Sequence, residues 1–171
     1  MENLRNKTLA NVTTAMVSGV MALSLVLGLA APVAAADQVP FKGTLEGTVT
    51  ITPLDPPFAS VLIEGTGNAT HLGRYRVEFI ATVNQATRQG VGPGRLVFTA
   101  ANGDTLMAEG MGQATLLAPG VLSITETASI TGGTGRFAGA TGSFVIERTF
   151  FVAAGLTTGF FEGTMPSPGR G

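Results

Sequence analysis

The residues that follow position 37 alternate between apolar and polar types, which is the two-residue period of a β-strand with one buried face. The clearest run is 41–52, where phenylalanine, leucine, valine, isoleucine and glycine alternate with lysine, threonine and glutamate. Similar alternation at 60–68 and 74–84 predicts two further strands. The prolines within 53–57 end the first strand, because proline cannot donate a hydrogen bond to a sheet.

Two short turn signals divide the middle of the chain, beyond a predicted loop at 85–94. Asn102-Gly103 is typical of a two-residue type I′ turn, which needs positive φ at both positions, and it predicts Phe98 opposite Met107. Pro119-Gly120 predicts a second tight turn with Gly120 at positive φ.

The strands beside these turns, with others predicted at 144–152 and 157–165, bring the count to about eight. No helix is predicted after residue 36. Short strands separated by turns are typical of sandwiches and barrels, and a barrel has no exposed strand edges. We therefore predict an all-β fold, a single antiparallel eight-stranded β-barrel.

A glycine-rich stretch at 130–144, Ile-Thr-Gly-Gly-Thr-Gly-Arg-Phe-Ala-Gly-Ala-Thr-Gly-Ser-Phe, lies between two predicted strands. Glycine is favoured where the backbone must adopt positive φ or approach another backbone closely. We therefore interpret the stretch as a long structured turn, with positive φ at Gly133 or Gly135 or both. Its predicted structural residues are Gly132, Gly133, Gly135, Phe137 and Gly139.

The first 36 residues have the pattern of a secretory signal peptide: two early basic residues, an apolar run at 15–31, and Ala34-Ala35-Ala36 before the cut. A retained anchor is the alternative, because the apolar run approaches the roughly 20 residues that cross a bilayer. Pro32 and the alanines favour cleavage. We predict a signal peptide at 1–36, a β-barrel domain at 37–165 and a disordered tail at 166–171. The location is then secreted or periplasmic, with no membrane span after cleavage.

Composition excludes several classes of function. Ten Lys and Arg residues against 11 Asp and Glu residues give no polybasic surface, so we predict no nucleic-acid partner. The absence of cysteine excludes thiol chemistry, and a single histidine predicts no metal site. Gly133, Gly135 and Ala138 match part of a dinucleotide fingerprint, which needs a following helix. A strand is predicted there instead, so we predict no cofactor.

Two stretches carry a family resemblance. Gly-Asn-Ala-Thr-His-Leu-Gly-Arg at 67–74 and the glycine-rich stretch at 130–144 resemble bacterial secreted proteins grouped with the allene oxide cyclase barrel, a calycin-like architecture shared with plant dirigent proteins. The resemblance implies an eight-stranded antiparallel barrel and a homotrimer. The plant proteins cyclise an epoxide fatty acid or steer radical coupling inside an apolar cavity. Their functional residues have no matching positions here, so an activity would rest on fold analogy alone.

The glycine-rich hairpin also predicts an ion pair. Centring its turn on Phe137 places Ile130 opposite Phe144 and Glu126 opposite Arg148, on the more apolar face of the sheet. One interpretation is that the pair stays wet at the barrel rim or only fixes the strand register. The other is that it forms the polar anchor of an apolar pocket, where Arg148 holds a carboxylate or hydroxyl.

His71 and Tyr75 are further candidates for ligand contact. His71 is in phase with Tyr75 along the predicted strand, so it is expected to point into the barrel near one end. It is either a structural histidine at a strand end or a residue for ligand contact or proton transfer. No catalytic residue is assigned. The predicted ligand-binding residues are His71, Tyr75, Glu126 and Arg148.

The leading functional hypothesis is a non-catalytic barrel that binds a small apolar molecule or has a structural role. The alternative is an isomerase or cyclase that acts on an apolar small molecule within the barrel. An open cavity lined by His71, Tyr75, Glu126 or Arg148 favours the enzyme. An interior filled with phenylalanine, leucine and isoleucine favours the non-catalytic role.

Overall fold

Antiparallel β-strands account for most of residues 37–168, the part of the chain that this computed structural model describes. They are β1 (Gln38–Pro53), β2 (Phe58–Ala69), β3 (Gly73–Asn84), β4 (Gln89–Gly90), β5 (Gly94–Ala100), β6 (Thr105–Ala118), β7 (Val121–Gly133), β8 (Ser143–Phe151) and β9 (Leu156–Pro166). Two 3-10 turns, Gly135–Phe137 and Val152–Ala154, are the helical segments of this part of the chain.

The sheet closes in a ring of eight long strands. Each long strand pairs with its neighbours in the chain, and β9 pairs with β1 to complete the ring. The short β4 pairs with β3 and β6 at one end of the ring. The predicted all-β, eight-stranded antiparallel barrel is therefore confirmed. The predicted loop at 85–94 contains β4, which sequence analysis did not predict.

The two ends of the barrel differ, and we call them the closed end and the open end. The closed end carries the turns β2–β3 and β5–β6 and the glycine-rich loop between β7 and β8. The open end carries the connections β1–β2, β3–β4, β6–β7 and β8–β9. Hydrogen bonds link neighbouring connections at the open end, from the Gln85 N–H to the Pro57 carbonyl and from the Val152 N–H to the Gly120 carbonyl.

Aromatic side chains fill the barrel towards the closed end. The ring of Phe41 lies 5.2 Å from that of Phe144 and 4.9 Å from that of Phe161, and Tyr75 packs against Phe98 at 5.3 Å. Aromatic pairs at these distances add to the stability that apolar burial provides. The inward positions of the strands are thus occupied here, and no ligand fits between them.

The glycine-rich loop packs over the closed end. Gly135 has φ +55°, which confirms that the loop uses a left-handed residue in this position. Phe137 is fully buried in the core. The Thr134 N–H donates to the Thr105 carbonyl at 2.8 Å, which holds the loop against the β5–β6 turn. A Cβ on Gly133 would collide with the same carbonyl, so only glycine allows this approach.

The β5–β6 hairpin has a different register from the predicted one. Phe98 lies opposite Leu106, not Met107, because the Ala100 N–H donates to the Asp104 carbonyl and leaves a turn of three residues that ends with Gly103 at φ +88°. A turn followed by a left-handed glycine is a common alternative to the two-residue turn. The observed register places Leu106 inside the core, where it is fully buried. The Pro119-Gly120 turn is as predicted, with Gly120 at φ +74°.

Parts of the predicted ends of the chain cannot be compared with the structure. The predicted signal peptide, 1–36, and the last residues of the predicted tail, 169–171, lie outside the described residues. Pro166, where the predicted tail begins, is the final residue of β9, and the Ser167 N–H donates to the Asp37 carbonyl at 3.1 Å. Within 37–168 there is no helix long and apolar enough to cross a membrane.

Candidate functional site

A cavity of about 260 Å³ lies inside the barrel at the open end. Its walls are mainly apolar and come from six of the eight long strands, β1, β2, β3, β6, β7 and β8. The apolar wall residues include Val49, Ile51, Val61, Phe79, Ala81, Val83, Ala114, Leu122, Ile124 and Phe150. This surface, together with the polar groups described next, is the candidate binding pocket.

The pocket exists because inward side chains become small along β6. From the closed end to the open end, this strand turns Leu106, Ala108, Gly110, Gly112 and Ala114 towards the interior. The first two are fully buried against the core, whereas the last three line the pocket. A larger side chain at Ala114 would fill part of this space, since protein cores leave few voids larger than a water molecule, whereas the Glu126 side chain already occupies the space beside Gly112.

The predicted ion pair between Glu126 and Arg148 is present at the inner side of the pocket. The Arg148 Nε donates to the Glu126 Oε2 and the Arg148 Nη2 donates to the Glu126 Oε1, both at 2.9 Å. Only 5% of Glu126 and 6% of Arg148 is exposed. A bidentate pair in this geometry is among the stronger hydrogen-bonding arrangements in proteins, and burial excludes the interpretation of a wet pair at the rim.

A threonine extends the pair. The Arg148 Nη1 donates to the Thr157 Oγ1 at 3.4 Å, and that hydroxyl donates to the Thr149 carbonyl at 2.9 Å. Thr157 is itself almost fully buried. Its hydroxyl therefore serves as acceptor for the guanidinium and as donor to the strand backbone, and the contact fixes the plane of the Arg148 head group.

The predicted strand register beside the pair is wrong by two residues. Glu126 lies opposite Ile146, and Arg148 lies opposite Ile124, so the charged residues are diagonal neighbours. The pairing of β7 with β8 ends at Ser129 and Ser143, because the loop between them is not symmetric about Phe137. A shift of two residues keeps every side chain on its original face of the sheet, which is why the ion pair survives the error.

Two glycines on the neighbouring strands make room for the charged side chains. Gly112 of β6 lies opposite Glu126, and a Cβ there would collide with the Glu126 Cγ. Gly159 of β9 lies opposite Arg148, and a Cβ there would lie 2.6 Å from the Arg148 Cβ. Neither glycine was predicted to be part of the site. The pattern that identifies them is a glycine opposite each charged residue. It can be recognised only when the strand register is known.

Tyr75 lies next to the pair but not in the pocket. Its hydroxyl donates to the Thr44 carbonyl at 2.6 Å, and burial raises the pKa of Tyr75 well above its usual value. Tyr75, Glu126 and Arg148 all line a separate void of about 10 Å³ on the packed side of the pair. A void of this size holds one water molecule at most, so Tyr75 cannot contact a ligand through it.

His71 is on the outside of the opposite end of the barrel. It lies in the β2–β3 turn with φ +65°, its side chain is exposed, and the next residue, Leu72, is buried instead. The prediction that His71 points into the barrel is wrong, because the turn interrupts the alternation that begins at Gly73. Among the described residues, the pocket has no contact with this histidine.

The mouth of the pocket contains polar residues that sequence analysis did not identify. Asn84, Gln85, Arg88 and Gln113 line it together with apolar residues. The Asn84 Oδ1 accepts hydrogen bonds from the backbone N–H groups of Ala86 and Thr87, at 2.9 and 3.2 Å. The Ala114 N–H donates to the Arg88 carbonyl at 2.8 Å. These bonds hold the loop after β3 against β6 beside the opening.

The described residues show no second polar site of comparable burial. Across 37–168, no three His, Asp or Glu side chains lie close enough together to hold a metal ion. The pocket therefore offers one buried polar group, the Glu126–Arg148 pair, within apolar walls. Such a surface suits an apolar molecule with a single hydrogen-bonding group.

Comparison with known proteins supports the β-barrel fold described above. No protein-family profile matches the chain, and no curated protein matches its sequence. The solved structure of a pterocarpan synthase dirigent protein is similar, with a TM-score of 0.55 over 91% of this chain and 98% of the other. The chain has a dirigent-like fold. Sequence identity is only 14%, so the likeness concerns the barrel and not its chemistry.

Proposed function

We propose that the protein binds a small, largely apolar molecule in the pocket at the open end and releases it unchanged. The observation that carries this proposal is an apolar cavity of about 260 Å³ with a buried bidentate ion pair at its inner side. Ligand sites are typically concave and apolar, with few polar groups that fix orientation. The dirigent-like barrel is compatible with such a role.

The contrast between the two ends supports binding over a purely structural role. The closed end is packed with aromatic rings, whereas the open end keeps small residues on β6 and an empty volume inside the ring. Cavities within a core cost stability in proportion to their volume. A barrel with only a structural role would gain from larger residues at Ala81 and Ala114, which face this volume.

The ion pair supports the same conclusion. Taking two charges out of water is costly, and replacing a buried pair with apolar residues of similar volume is often neutral or stabilising. The Glu126–Arg148 pair is therefore poorly explained by stability alone. We explain the presence of this pair in the interior by its contact with a polar group of a ligand.

Displacement of a fluorescent apolar probe tests the proposal on the purified protein. Ala81→Phe fills the pocket from β3, and Ile80→Phe adds the same bulk to the exposed face of the same strand. We expect the wild type and Ile80→Phe to bind the probe and Ala81→Phe to lose at least tenfold in affinity. Equal binding by the two variants would overturn the proposal, as would a wild type that binds no apolar probe.

Catalysis by a cyclase or isomerase is the alternative, and the interior gives it partial support. A filled interior was expected of a non-catalytic barrel and an open cavity of an enzyme. The barrel has both, a filled part and a cavity lined by Glu126 and Arg148. Glu126 is the one carboxylate that lines the pocket within the described residues, and both its oxygens accept hydrogen bonds from Arg148. We favour binding, since no second proton-transfer group faces it there. Recovery of a bound ligand in altered form would favour the enzyme.

We also propose that the protein is exported to the periplasm or the medium as a member of the allene oxide cyclase-like secreted proteins. The support is the signal-peptide pattern of 1–36 and the two glycine-containing stretches described above. The homotrimer that the resemblance implies is part of this proposal. Light scattering of the purified protein measures the oligomeric state directly.

A further inference from the structure

The ion pair leaves hydrogen-bonding capacity on both of its members. Arg148 carries five N–H groups, and three of them donate, two to Glu126 and one to Thr157. One hydrogen on Nη1 and one on Nη2 remain. Each Glu126 oxygen accepts one hydrogen bond from Arg148 and retains a further lone pair. The pair thus offers donors and acceptors at the same place.

The pair is also electrically balanced. Glu126 and Arg148 carry opposite charges 2.9 Å apart, and Arg88 is the remaining charged residue of the pocket lining, exposed at the mouth. A carboxylate brought to the inner side would add a third buried charge without a free partner. The desolvation cost of such an ion is not recovered, because Arg148 is already neutralised. A hydroxyl has no such cost, and it can donate to Glu126 and accept from Arg148.

The size of the pocket limits the rest of the ligand. A volume of about 260 Å³ lies just below the roughly 300–1,000 Å³ of typical ligand pockets, so the occupant is a small molecule. The walls next to the pair, including Ile124 and Phe150, offer no hydrogen bonds to a second polar group.

We propose, building on the binding function above, that the ligand is a neutral amphiphile with an apolar body and a hydroxyl at its buried end. Glu126 is the specificity-determining residue, because it cancels the charge of Arg148 and so excludes carboxylates. A buried arginine without a partner would favour an acidic ligand. Because Arg148 is paired with Glu126, the assigned ligand class is an alcohol instead.

Competition between three compounds of the same chain length tests the ligand class. Nonane, 1-nonanol and nonanoate are each used to displace an apolar fluorescent probe at pH 8, where the carboxylate is ionised. We expect nonanol to bind at least tenfold more tightly than nonanoate, and also more tightly than nonane. Nonanoate binding as tightly as nonanol would overturn the inference while leaving the binding function intact. Failure of all three to displace the probe would count against the binding function itself.

Two variants test the role of Glu126. Glu126→Gln removes the negative charge and keeps the shape, so Arg148 becomes an unpaired cation and the preference should shift at least tenfold towards nonanoate. The control is Glu147→Gln, which makes the same change at the residue before Arg148. The Glu147 side chain is exposed, so this variant should leave the preference unchanged. A preference that is the same in Glu126→Gln as in the wild type would contradict the assigned role.

A double variant decides the question where Glu126→Gln does not fold. Glu126→Leu with Arg148→Met replaces the pair by apolar side chains, an exchange that buried pairs often tolerate. We expect this variant to bind nonane as well as nonanol, because both hydrogen-bonding groups are gone. Retention of the wild-type preference for nonanol would place the polar contact elsewhere and overturn the inference.

Discussion

Arg148 of β8 lies directly opposite Gly159 of β9, and a Cβ on that glycine would lie 2.6 Å from the Arg148 Cα. The neighbouring backbone, not a flexible side-chain end, occupies the space, so the strands must separate to accept a methyl group. We predict that Gly159→Ala lowers the free energy of unfolding by about 1–3 kcal/mol, as overpacking usually does. Chemical denaturation of the variant and the wild type measures this difference.

Gly90→Ala is the matched control for this substitution. A Cβ at Gly90 would meet its nearest atom, the Gly112 carbonyl oxygen, at 3.5 Å, which is ordinary contact. Alanine at a compatible backbone position is neutral or slightly stabilising. Equal losses for Gly90→Ala and Gly159→Ala would show that the space opposite Arg148 is not limiting.

The glycine-rich loop provides a second pair of glycines for comparison. Gly135 and Gly139 have φ values of +55° and +71°, but a Cβ on Gly135 would collide with the Asp104 carboxylate, whereas one on Gly139 meets nothing within 4 Å. We predict that Gly139→Ala costs about 1–2 kcal/mol through the left-handed backbone alone. Gly135→Ala should cost more, because it also displaces Asp104. Melting temperatures in the reverse order would refute this account of the loop.

Tyr75 should make the stability of the protein depend on alkaline pH. Burial raises the pKa of its hydroxyl in the folded state above the value of about 10 in an unfolded chain. The folded state therefore holds its proton more tightly, and this contribution is complete below about pH 10 and is lost as the pH rises further. We predict a fall in the free energy of unfolding above about pH 10 that Tyr75→Phe reduces.

The titration can be observed directly, because Tyr75 is the single tyrosine of the chain. Near-ultraviolet absorbance of the phenolate should appear only well above pH 10 in the folded protein and near pH 10 in denaturant. Tyr75→Phe also removes the hydrogen bond to the Thr44 carbonyl, which should cost about 0.5–1.5 kcal/mol at neutral pH. A folded-state titration near pH 10 would contradict the burial of this hydroxyl.

The barrel could be predicted from the sequence because strands and turns produce local patterns of residues. The alternation along 41–52 and the turn at Gly120 each determine the conformation of a few neighbouring residues, and both agree with the structure. Strand register was less predictable, because it depends on turn geometry. The hairpin at Gly103 has three loop residues instead of two, and burial of Leu106 selects that register over the predicted one.

The candidate site was predictable only in part for a related reason. Glu126 and Arg148 were correctly placed on one inward face, since a shift of two residues preserves the face. The pocket beside them was not predicted, because it depends on how inward residues from all strands combine across the barrel. His71 was misplaced for the opposite reason: its left-handed backbone ends the alternation that was extrapolated from the strand. Long-range packing decides the pocket, whereas a local backbone conformation decides the position of His71.

Processing of the chain is a prediction that the described residues do not address. The alanines at 34–36 and the preceding apolar run predict cleavage between Ala36 and Asp37, within two residues. N-terminal sequencing of the exported protein should therefore begin near Asp37. Exported protein that still begins at Met1 would show that the segment is retained.

The Glu126–Arg148 pair should be strongly coupled. Removing either member leaves a buried charge without its partner, which typically costs about 3–5 kcal/mol. We predict that Glu126→Gln and Arg148→Met each reduce the free energy of unfolding by about that amount, and that the double variant loses much less than the sum. The cycle isolates the interaction because the separate effects of each site cancel.

The Asp104–Arg136 pair is the matched reference for this cycle. Its charged atoms are 3.7 Å apart and its side chains are 22% and 32% exposed, so the coupling measured with Asp104→Asn and Arg136→Met should be only about 0–1 kcal/mol. The coupling energy of the buried pair should be clearly larger than that of this reference, because both of its members have lost their water and bind each other at two points. If the two cycles gave equal coupling energies, water would have to reach Glu126 and Arg148 in solution. The pocket would then lack the dry inner side on which selection of a neutral ligand depends.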